Sequence, residues 1–290
     1  MFYSFENINF IKMKISSKTK DIIRKIIRKI PFAYRRIISH QIALTLREDD
    51  GQVFEQDIFE FKVLKGLSIE NEYMQTYRNS LSKAEDQKTD NIYKILRHLN
   101  LYSYIEDVLK RKVPGDFAEC GCWNGNSLFA TKYFMDKHNS DKNLHIFDSF
   151  EGGLSEFLKE DYEGSLINSK EEADEVSRQF SSSYVKLLKK IENLDNLYIN
   201  KGWIPDVFKY QEDRKYSFVH IDLDLYEPTK EAHIYFFERL QEGGIIVCDD
   251  YGYEQFPGAS KAVDQFINSL PSSSYKHFIK HSIGTSVIIK

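Results

Sequence analysis

The chain has 290 residues, enough for one α/β domain of ordinary size and an accessory region. Hydrophobic residues make up 41% and charged residues 29%, which is the composition of an ordinary soluble domain. The net charge of −4 combines about +9 over Met1–Arg47, where 11 basic residues face two acids, with about −13 over the rest, which argues against a nucleic-acid-binding body.

Cysteine use and hydropathy indicate the cellular compartment. Cys120, Cys122 and Cys248 are too few for a disulfide framework and all lie in apolar runs, so we expect a reducing compartment. No second Cys or His pair accompanies Cys120 and Cys122 at the spacing of a zinc site. No stretch reaches the ~20 apolar residues needed to span a bilayer, and no secretory cleavage site follows the N-terminus. We therefore expect a cytoplasmic protein.

Residues 1–50 are predicted to form a basic amphipathic arm. Residues 12–47 alternate paired isoleucines with paired bases, so a helix would carry isoleucines on one face and bases opposite, until Pro31 interrupts it. Such a helix can lie on an anionic membrane surface, which makes a peripheral membrane contact one hypothesis. The alternatives are a helix that packs on its own domain and a partly disordered leader.

Residues 51–112 form a predicted helical lid or accessory region. Apolar residues between Tyr93 and Leu109 recur at roughly helical spacing. The run Val113-Pro114-Gly115 then ends this region sharply.

Residues 113–290 read as one domain in which strands alternate with helices. This order predicts a Rossmann-like α/β fold with a mostly parallel sheet, helices on both faces, and a C-terminal β-hairpin around Ile283-Gly284. The predicted strands cover residues 116–121, 143–148, 197–200, 216–222 and 243–249, and the predicted helices start at 127 and cover 170–192, 228–240 and 258–269.

The first two strands end in residues that suit a nucleoside. Residues 119–127 form a strand–turn–helix loop whose glycines let the backbone approach a ligand, although the loop is neither G-x-G-x-x-G nor a P-loop. Asp148 ends the second strand, where an acid can accept hydrogen bonds from ribose hydroxyls. The alternatives are a glycine turn used for packing and a turn aspartate; the two features together favour a nucleoside ligand.

Three acids end the fourth and fifth strands. Asp222, Asp249 and Asp250 would repel one another unless a cation or protons neutralised them. Oxygen ligands suit Mg²⁺ or another hard divalent cation, which lowers the pKa of a bound hydroxyl. The alternative is that these acids cap the following helices, and Asp224, which precedes Pro228, is the residue most expected to do so.

Taken together, the ordered motifs resemble the macrocin O-methyltransferase family (TylF/MycF/NovP type) over roughly residues 90–290. The matching runs are Gly115–Ser127, Phe147–Gly152, Gly202-Trp203, His220–Thr229, Asp249–Gly252 and Ala259–Asp264.

The resemblance implies a class I methyltransferase that uses S-adenosylmethionine and Mg²⁺ to methylate a sugar hydroxyl of a natural product. It assigns Asp222, Asp249 and Asp250 to the metal and makes Asp222 the general base, because Leu225 stands where catechol-type relatives have a lysine. The residues expected at the S-adenosylmethionine site are Glu119, Cys120, Gly121, Trp123, Asn124, Ser127, Asp148, Ser149, Gly202 and Trp203.

Other functions remain open at this stage. A metal-dependent glycosyltransferase could use the Asp222-Leu223-Asp224 pair to hold a nucleotide sugar, although this leaves Asp148 without a role. A non-catalytic scaffold anchored by the basic arm is a third hypothesis. The expected partner is a small-molecule or glycan acceptor with a hydroxyl group, a membrane-associated glycan or lipid-linked sugar included. A homo-oligomer is compatible with the sequence, and no nucleic-acid partner is expected.

Overall fold

Seven strands form a single mixed sheet in the order β3-β2-β1-β4-β5-β7-β6. The computed structural model describes residues 72–86, 92–150, 152–211, 213–281 and 283–290. The first five strands of that order run parallel, and the hairpin of β6 and β7 joins β5 in antiparallel pairing. The strands are β1 (Asp116–Cys120), β2 (Leu144–Asp148), β3 (Leu197–Lys201), β4 (Tyr216–Ile221), β5 (Leu240–Asp249), β6 (His277–His281) and β7 (Thr285–Ile289).

Helices cover both faces of this sheet. Two core clusters of buried apolar side chains lie on its two sides, one with α2 and α3 and the other with α7 and α8. The helices are α1 (Glu72–Ala84), α2 (Ile92–Lys110), α3 (Asn126–Lys137), α4 (Lys159–Tyr162), α5 (Lys170–Arg178), α6 (Tyr184–Ile191), α7 (Tyr226–Arg239) and α8 (Pro257–Ser269), with 3₁₀ turns at Asp206–Tyr210 and Ser272–Ser274.

The central strands are buried because both of their faces are covered. All six residues of β4 are buried, whereas the residues of the edge strand β3 are only partly buried or exposed. One row of paired residues crosses the sheet through Phe147, Cys120, Ile221 and Cys248. The residues that follow this row therefore meet along one edge of the sheet.

The turn after β1 requires glycine at position 121. Gly121 has φ of +82°, a left-handed conformation that is strained for other residues. A methyl group there would also overlap the carbonyl oxygen of Asp222. The backbone N–H of Asp222 donates to the Cys120 carbonyl at 2.9 Å, which holds the ends of β1 and β4 together.

Glu106 joins α2 to its neighbouring helices. Its buried carboxylate accepts hydrogen bonds from Tyr73 Oη at 2.7 Å and from Lys110 Nζ at 3.0 Å. It also lies 2.8 Å from Lys137 Nζ and 3.0 Å from His138 Nε2. One carboxylate thus connects α1, α2 and the end of α3.

A second buried carboxylate, Asp161 in α4, connects three elements of the other face. Its Oδ1 accepts from the N–H of Tyr226 at 2.8 Å, and its Oδ2 accepts from the N–H of Leu158 at 2.9 Å. The first N–H of helix α7 is thus satisfied by Asp161, and the capping role considered for Asp224 stays a prediction. A methyl group at Gly258 in α8 would overlap Asp161 Oδ1.

The predicted fold class is confirmed, with its five parallel strands and C-terminal hairpin. The predicted helix over residues 170–192 is divided into α5 and α6. Strand β5 begins at Leu240, three residues before its predicted start. In the part of the chain that the structure describes, no helix is long and apolar enough to cross a membrane.

The predicted boundaries at residues 50 and 112 stay predictions. The predicted basic arm of residues 1–50 lies outside the described residues. The hypothesis that residues 12–47 contact a membrane concerns the same segment and stays a prediction. Of the predicted helical region 51–112, the structure describes helices α1 and α2.

Candidate active site

A cleft opens at the carboxyl ends of the parallel strands, where ligands bind in folds of this class. It encloses about 770 Å³ of space, some of it open to solvent. Its lining combines apolar rings with residues from the turns that follow β1, β2, β3 and β4. The lining residues include Gly121, Trp123, Asp148, Ser149, Leu154, Phe180, Gly202, Trp203, Asp222, Leu223 and Asp224.

Asp148 faces this cleft from the end of β2. Its Oδ2 accepts hydrogen bonds from the backbone N–H groups of Cys122 at 2.9 Å and Trp123 at 3.0 Å, and its Oδ1 accepts from Phe150 N–H at 2.8 Å. Burial raises the pKa of Asp148, although these three hydrogen bonds oppose that rise. The carboxylate therefore anchors the glycine loop, and Oδ1 keeps capacity to accept from a ligand hydroxyl.

Four acids gather at the ends of β4 and β5. Carboxylate oxygens of Asp222, Asp224 and Asp250 lie within 4.8 Å of one another, and Asp222 and Asp249 form a similar group with His220. Burial raises the pKa of Asp222 to about 7, with further contributions from Asp249 and Asp224. Burial and the neighbouring Asp222 hold the pKa of Asp250 well above its usual range. Negative charge is thus in excess here.

Two cationic side chains compensate part of this charge, and both act on Asp249. Nη1 of Arg97 lies 3.8 Å from Asp249 Oδ2 and 3.2 Å from Asp250 Oδ1. His220 is buried between Glu119, at 3.7 Å from Nδ1, and Asp249, at 3.8 Å from Nε2. Burial disfavours the imidazolium, but these two carboxylates hold the pKa of His220 well above its usual value.

The remaining carboxylates fit a hard cation. Asp250 Oδ2 is buried and accepts no hydrogen bond from the described residues. Asp222 can bond to it only if the two share a proton. A buried oxygen of this kind is costly unless it is satisfied, and oxygen-only ligand sets suit Mg²⁺ and similar ions. The group of Asp222, Asp224 and Asp250 is therefore compatible with a divalent cation, while Asp249 belongs to a second group with Asp222 and His220.

The residues expected at the cofactor site divide into two groups. Six line the cleft, namely Gly121, Trp123, Asp148, Ser149, Gly202 and Trp203. The other four, Glu119, Cys120, Asn124 and Ser127, lie outside its lining. Ser127 Oγ donates a short hydrogen bond to Glu119 Oε1, and both side chains are buried. The Cys120 side chain packs in a core cluster, so its contribution to a ligand would come from its backbone.

Sequence reasoning did not identify Arg97 and His220 as parts of this site. His220 lies two residues before Asp222 on a buried strand, so its position alone could have placed it beside the acids. Arg97 lies 153 residues from Asp250 along the chain, and nothing in its local sequence marks it.

The sequence of this chain matches a known family of proteins. The family model described as Macrocin-O-methyltransferase (TylF) matches residues 71–271, well over half of the chain. The chain is 25% identical over 174 residues to demethyldecarbamoylnovobiocin O-methyltransferase of Streptomyces niveus, covering 59% of this chain and 65% of that protein. It is 26% identical over 214 residues to mycinamicin III 3''-O-methyltransferase of Micromonospora griseorubida, covering 69% and 79%. The match thus spans just under two thirds of the first of these relatives.

Solved structures agree on the fold. The structure of the O-methyltransferase NovP superposes with a TM-score of 0.57 at 22% identity, covering 66% of this chain and 78% of that one. These matches give no support to the glycosyltransferase hypothesis, since the relatives named above are O-methyltransferases. The matched region contains the glycine loop, the strand-end acids and the cleft, and the chain belongs to the macrocin O-methyltransferase family.

Proposed function

We propose that the protein transfers the methyl group of S-adenosylmethionine to a hydroxyl of a sugar-bearing natural product or glycan. One observation carries this proposal: Asp222 lines the cleft and also belongs to the acidic cluster. A donor bound in the cleft through Asp148 would therefore lie next to an acceptor hydroxyl held at the acids. Two ligands that react with each other need this adjacency.

One set of residues would bind the methyl donor, and another would bind the acceptor. The loop at Gly121 lets the backbone approach the adenosine closely, and Asp148 Oδ1 accepts from the ribose. Trp203, which is 38% exposed, offers an aromatic surface at the cleft wall. This arrangement would leave the sulfonium end of the donor directed toward Asp222.

Asp222 is the proposed general base. The acceptor oxygen attacks the methyl carbon, the carbon–sulfur bond breaks, S-adenosylhomocysteine departs, and the hydroxyl proton passes to Asp222. Asp222 lines the cleft and belongs to the acidic cluster, so its carboxylate lies beside the position proposed for the acceptor hydroxyl. Position 225 holds a fully buried leucine, which cannot accept a proton.

Asp222, Asp249 and Asp250 would hold a divalent cation. Asp222 is common to the two groups of possible ligands, one with Asp224 and Asp250 and the other with Asp249 and His220. A cation at that position supplies Lewis acidity that lowers the pKa of the acceptor hydroxyl. The Oδ2 atom of Asp250, which has no hydrogen-bond partner among the described residues, and the clustered negative charge support this assignment.

The names of the relatives support the acceptor class. One is a mycinamicin III 3''-O-methyltransferase, and another, from Streptomyces olivaceus, acts on a dimethoxy-rhamnosyl tetracenomycin at a 4'-hydroxyl, matching 60% of its own length. A hydroxyl group on the sugar of a glycoside is therefore the acceptor to test first.

The decisive experiment incubates the full chain with methyl-labelled S-adenosylmethionine, Mg²⁺ and a panel of glycosides and lipid-linked sugars. We expect label on a sugar oxygen, activity lost with EDTA and restored by added Mg²⁺, and no turnover by the Asp250→Asn variant. An acceptor methylated equally well in EDTA would overturn the metal assignment. Failure to bind S-adenosylhomocysteine in calorimetry would overturn the methyl-transfer proposal itself.

A further inference from the structure

Arg97 reaches the acidic cluster from outside the sheet. It lies on helix α2, and its guanidinium contacts both acids at the end of β5. Its side chain is 26% exposed, whereas those of Asp249 and Asp250 are 11% and 6% exposed. The contact thus joins a helix of the predicted accessory region to the carboxylates proposed to hold the cation.

The guanidinium uses one oxygen of each acid. It is 3.2 Å from Oδ1 of Asp250 and 3.8 Å from Oδ2 of Asp249. The second oxygen of Asp250 is buried without a described hydrogen-bond partner, and the second oxygen of Asp249 is the one nearest His220. Arg97 therefore fixes the rotation of the Asp250 carboxylate and leaves its other oxygen available to a ligand.

A competing interpretation is that Arg97 occupies the cation position itself. A guanidinium at the centre of the cluster would pair with Asp222 as well. Among the described residues, Arg97 forms ion pairs with Asp249 and Asp250 but none with Asp222. Its charge still acts on Asp222, but its direct contacts are with Asp249 and Asp250, whereas the converging carboxylates are those of Asp222, Asp224 and Asp250.

We propose that Arg97 is a positioning residue of the metal site, which holds Asp250 in the rotamer that presents its second oxygen to a divalent cation. The inference rests on the metal site proposed above. Partners that hydrogen-bond to metal-binding carboxylates orient them, and their removal typically weakens metal binding about 10- to 100-fold. The charge of Arg97 opposes a nearby cation, so the proposal requires that orientation outweighs repulsion.

The test measures binding of Mn²⁺ to the full chain by electron paramagnetic resonance, without acceptor or turnover. Arg97→Met removes the guanidinium at similar side-chain length, and Arg97→Lys keeps the charge without the planar fork. Arg111→Met is the matched control, because Arg111 directly follows the same helix and pairs with the exposed Asp107 at 2.6 Å. Binding of S-adenosylhomocysteine and thermal unfolding are recorded for each variant.

We expect Arg97→Met to raise the Mn²⁺ dissociation constant about 10- to 100-fold. Arg97→Lys should recover part of the loss and Arg111→Met should change nothing. S-adenosylhomocysteine affinity should stay within about twofold in a folded variant, since Arg97 does not line the cleft. An unchanged or tighter Mn²⁺ affinity in Arg97→Met would overturn the positioning role and leave the metal site intact. Absence of Mn²⁺ binding by the unmodified chain would overturn both the metal site and the positioning role. If Arg97→Met lost S-adenosylhomocysteine binding to the same extent as Mn²⁺ binding, a folding defect would explain the loss, and this result would count against the positioning role.

Discussion

Replacement of Asp148 with Asn tests the proposed donor site most directly. The substitution keeps the size of the side chain but removes its charge and turns one acceptor oxygen into an NH₂ donor. The carboxylate now accepts three backbone hydrogen bonds, two on Oδ2 and one on Oδ1. In either orientation of the amide, its NH₂ group faces at least one backbone N–H, so at least one of these bonds is lost.

The size of the effect follows from the number of contacts. A hydrogen bond to a charged acceptor contributes about 1.5–3 kcal/mol, so the loss of one between Asp148 and the turns around it should lower the free energy of unfolding by that order. The loss of a charged acceptor for the ribose should cost the donor a similar amount. In affinity this corresponds to roughly 10- to 150-fold weaker binding.

The assay is titration calorimetry with S-adenosylhomocysteine, combined with thermal unfolding of the same samples. Asp195→Asn is the matched control, because Asp195 is exposed in the turn before β3 and outside the cleft. The reasoning fails if Asp148→Asn binds S-adenosylhomocysteine as tightly as the Asp195→Asn control.

Three further substitutions test other parts of the structure. Asp222→Asn should lower kcat by about 10²- to 10⁴-fold while S-adenosylhomocysteine affinity stays near normal, and unaltered kcat would exclude Asp222 as the base. Gly121→Ala should give little folded protein by circular dichroism, because a methyl group would overlap the Asp222 carbonyl at φ of +82°. Glu106→Gln should lower the free energy of unfolding by about 3 kcal/mol and the Tm by about 5–10 °C. Burial raises the pKa of Glu106, yet hydrogen bonds from Lys137 and His138 hold this pKa below its usual value. The carboxylate therefore contributes its full stabilisation when the pH is above the usual pKa of a glutamate, and the stabilisation is lost as the pH falls through the lowered pKa. The gap between Glu106→Gln and the unmodified protein should therefore narrow in acid, and a gap that widens would contradict this linkage.

The sheet and its strand-end acids could be predicted because their signals are local. A buried apolar run followed by an acid reads directly as a central strand that ends at the site, as at Asp148, Asp222 and Asp249. Since parallel strands end at one edge, their order along the chain was enough to bring these acids together.

The features that escaped prediction depend on contacts between distant parts of the chain. Arg97 meets Asp250 across 153 residues, and Asp161 caps α7 across 65 residues. Asp224 adopts a left-handed conformation, with a φ of +61°, just before α7 begins. Neither propensity nor spacing contains that information, because tertiary packing decides which donor a carboxylate meets.

The pairing of Asp161 with Gly258 has a consequence for how this scaffold can change. The carboxylate that caps α7 occupies the space that any side chain at position 258 would need. A substitution at one of these positions is therefore compatible with the fold only if the other adapts. An exchange of α4 in this chain, for example by an engineer who seeks a new acceptor, would have to carry the first turn of α8 with it as one unit.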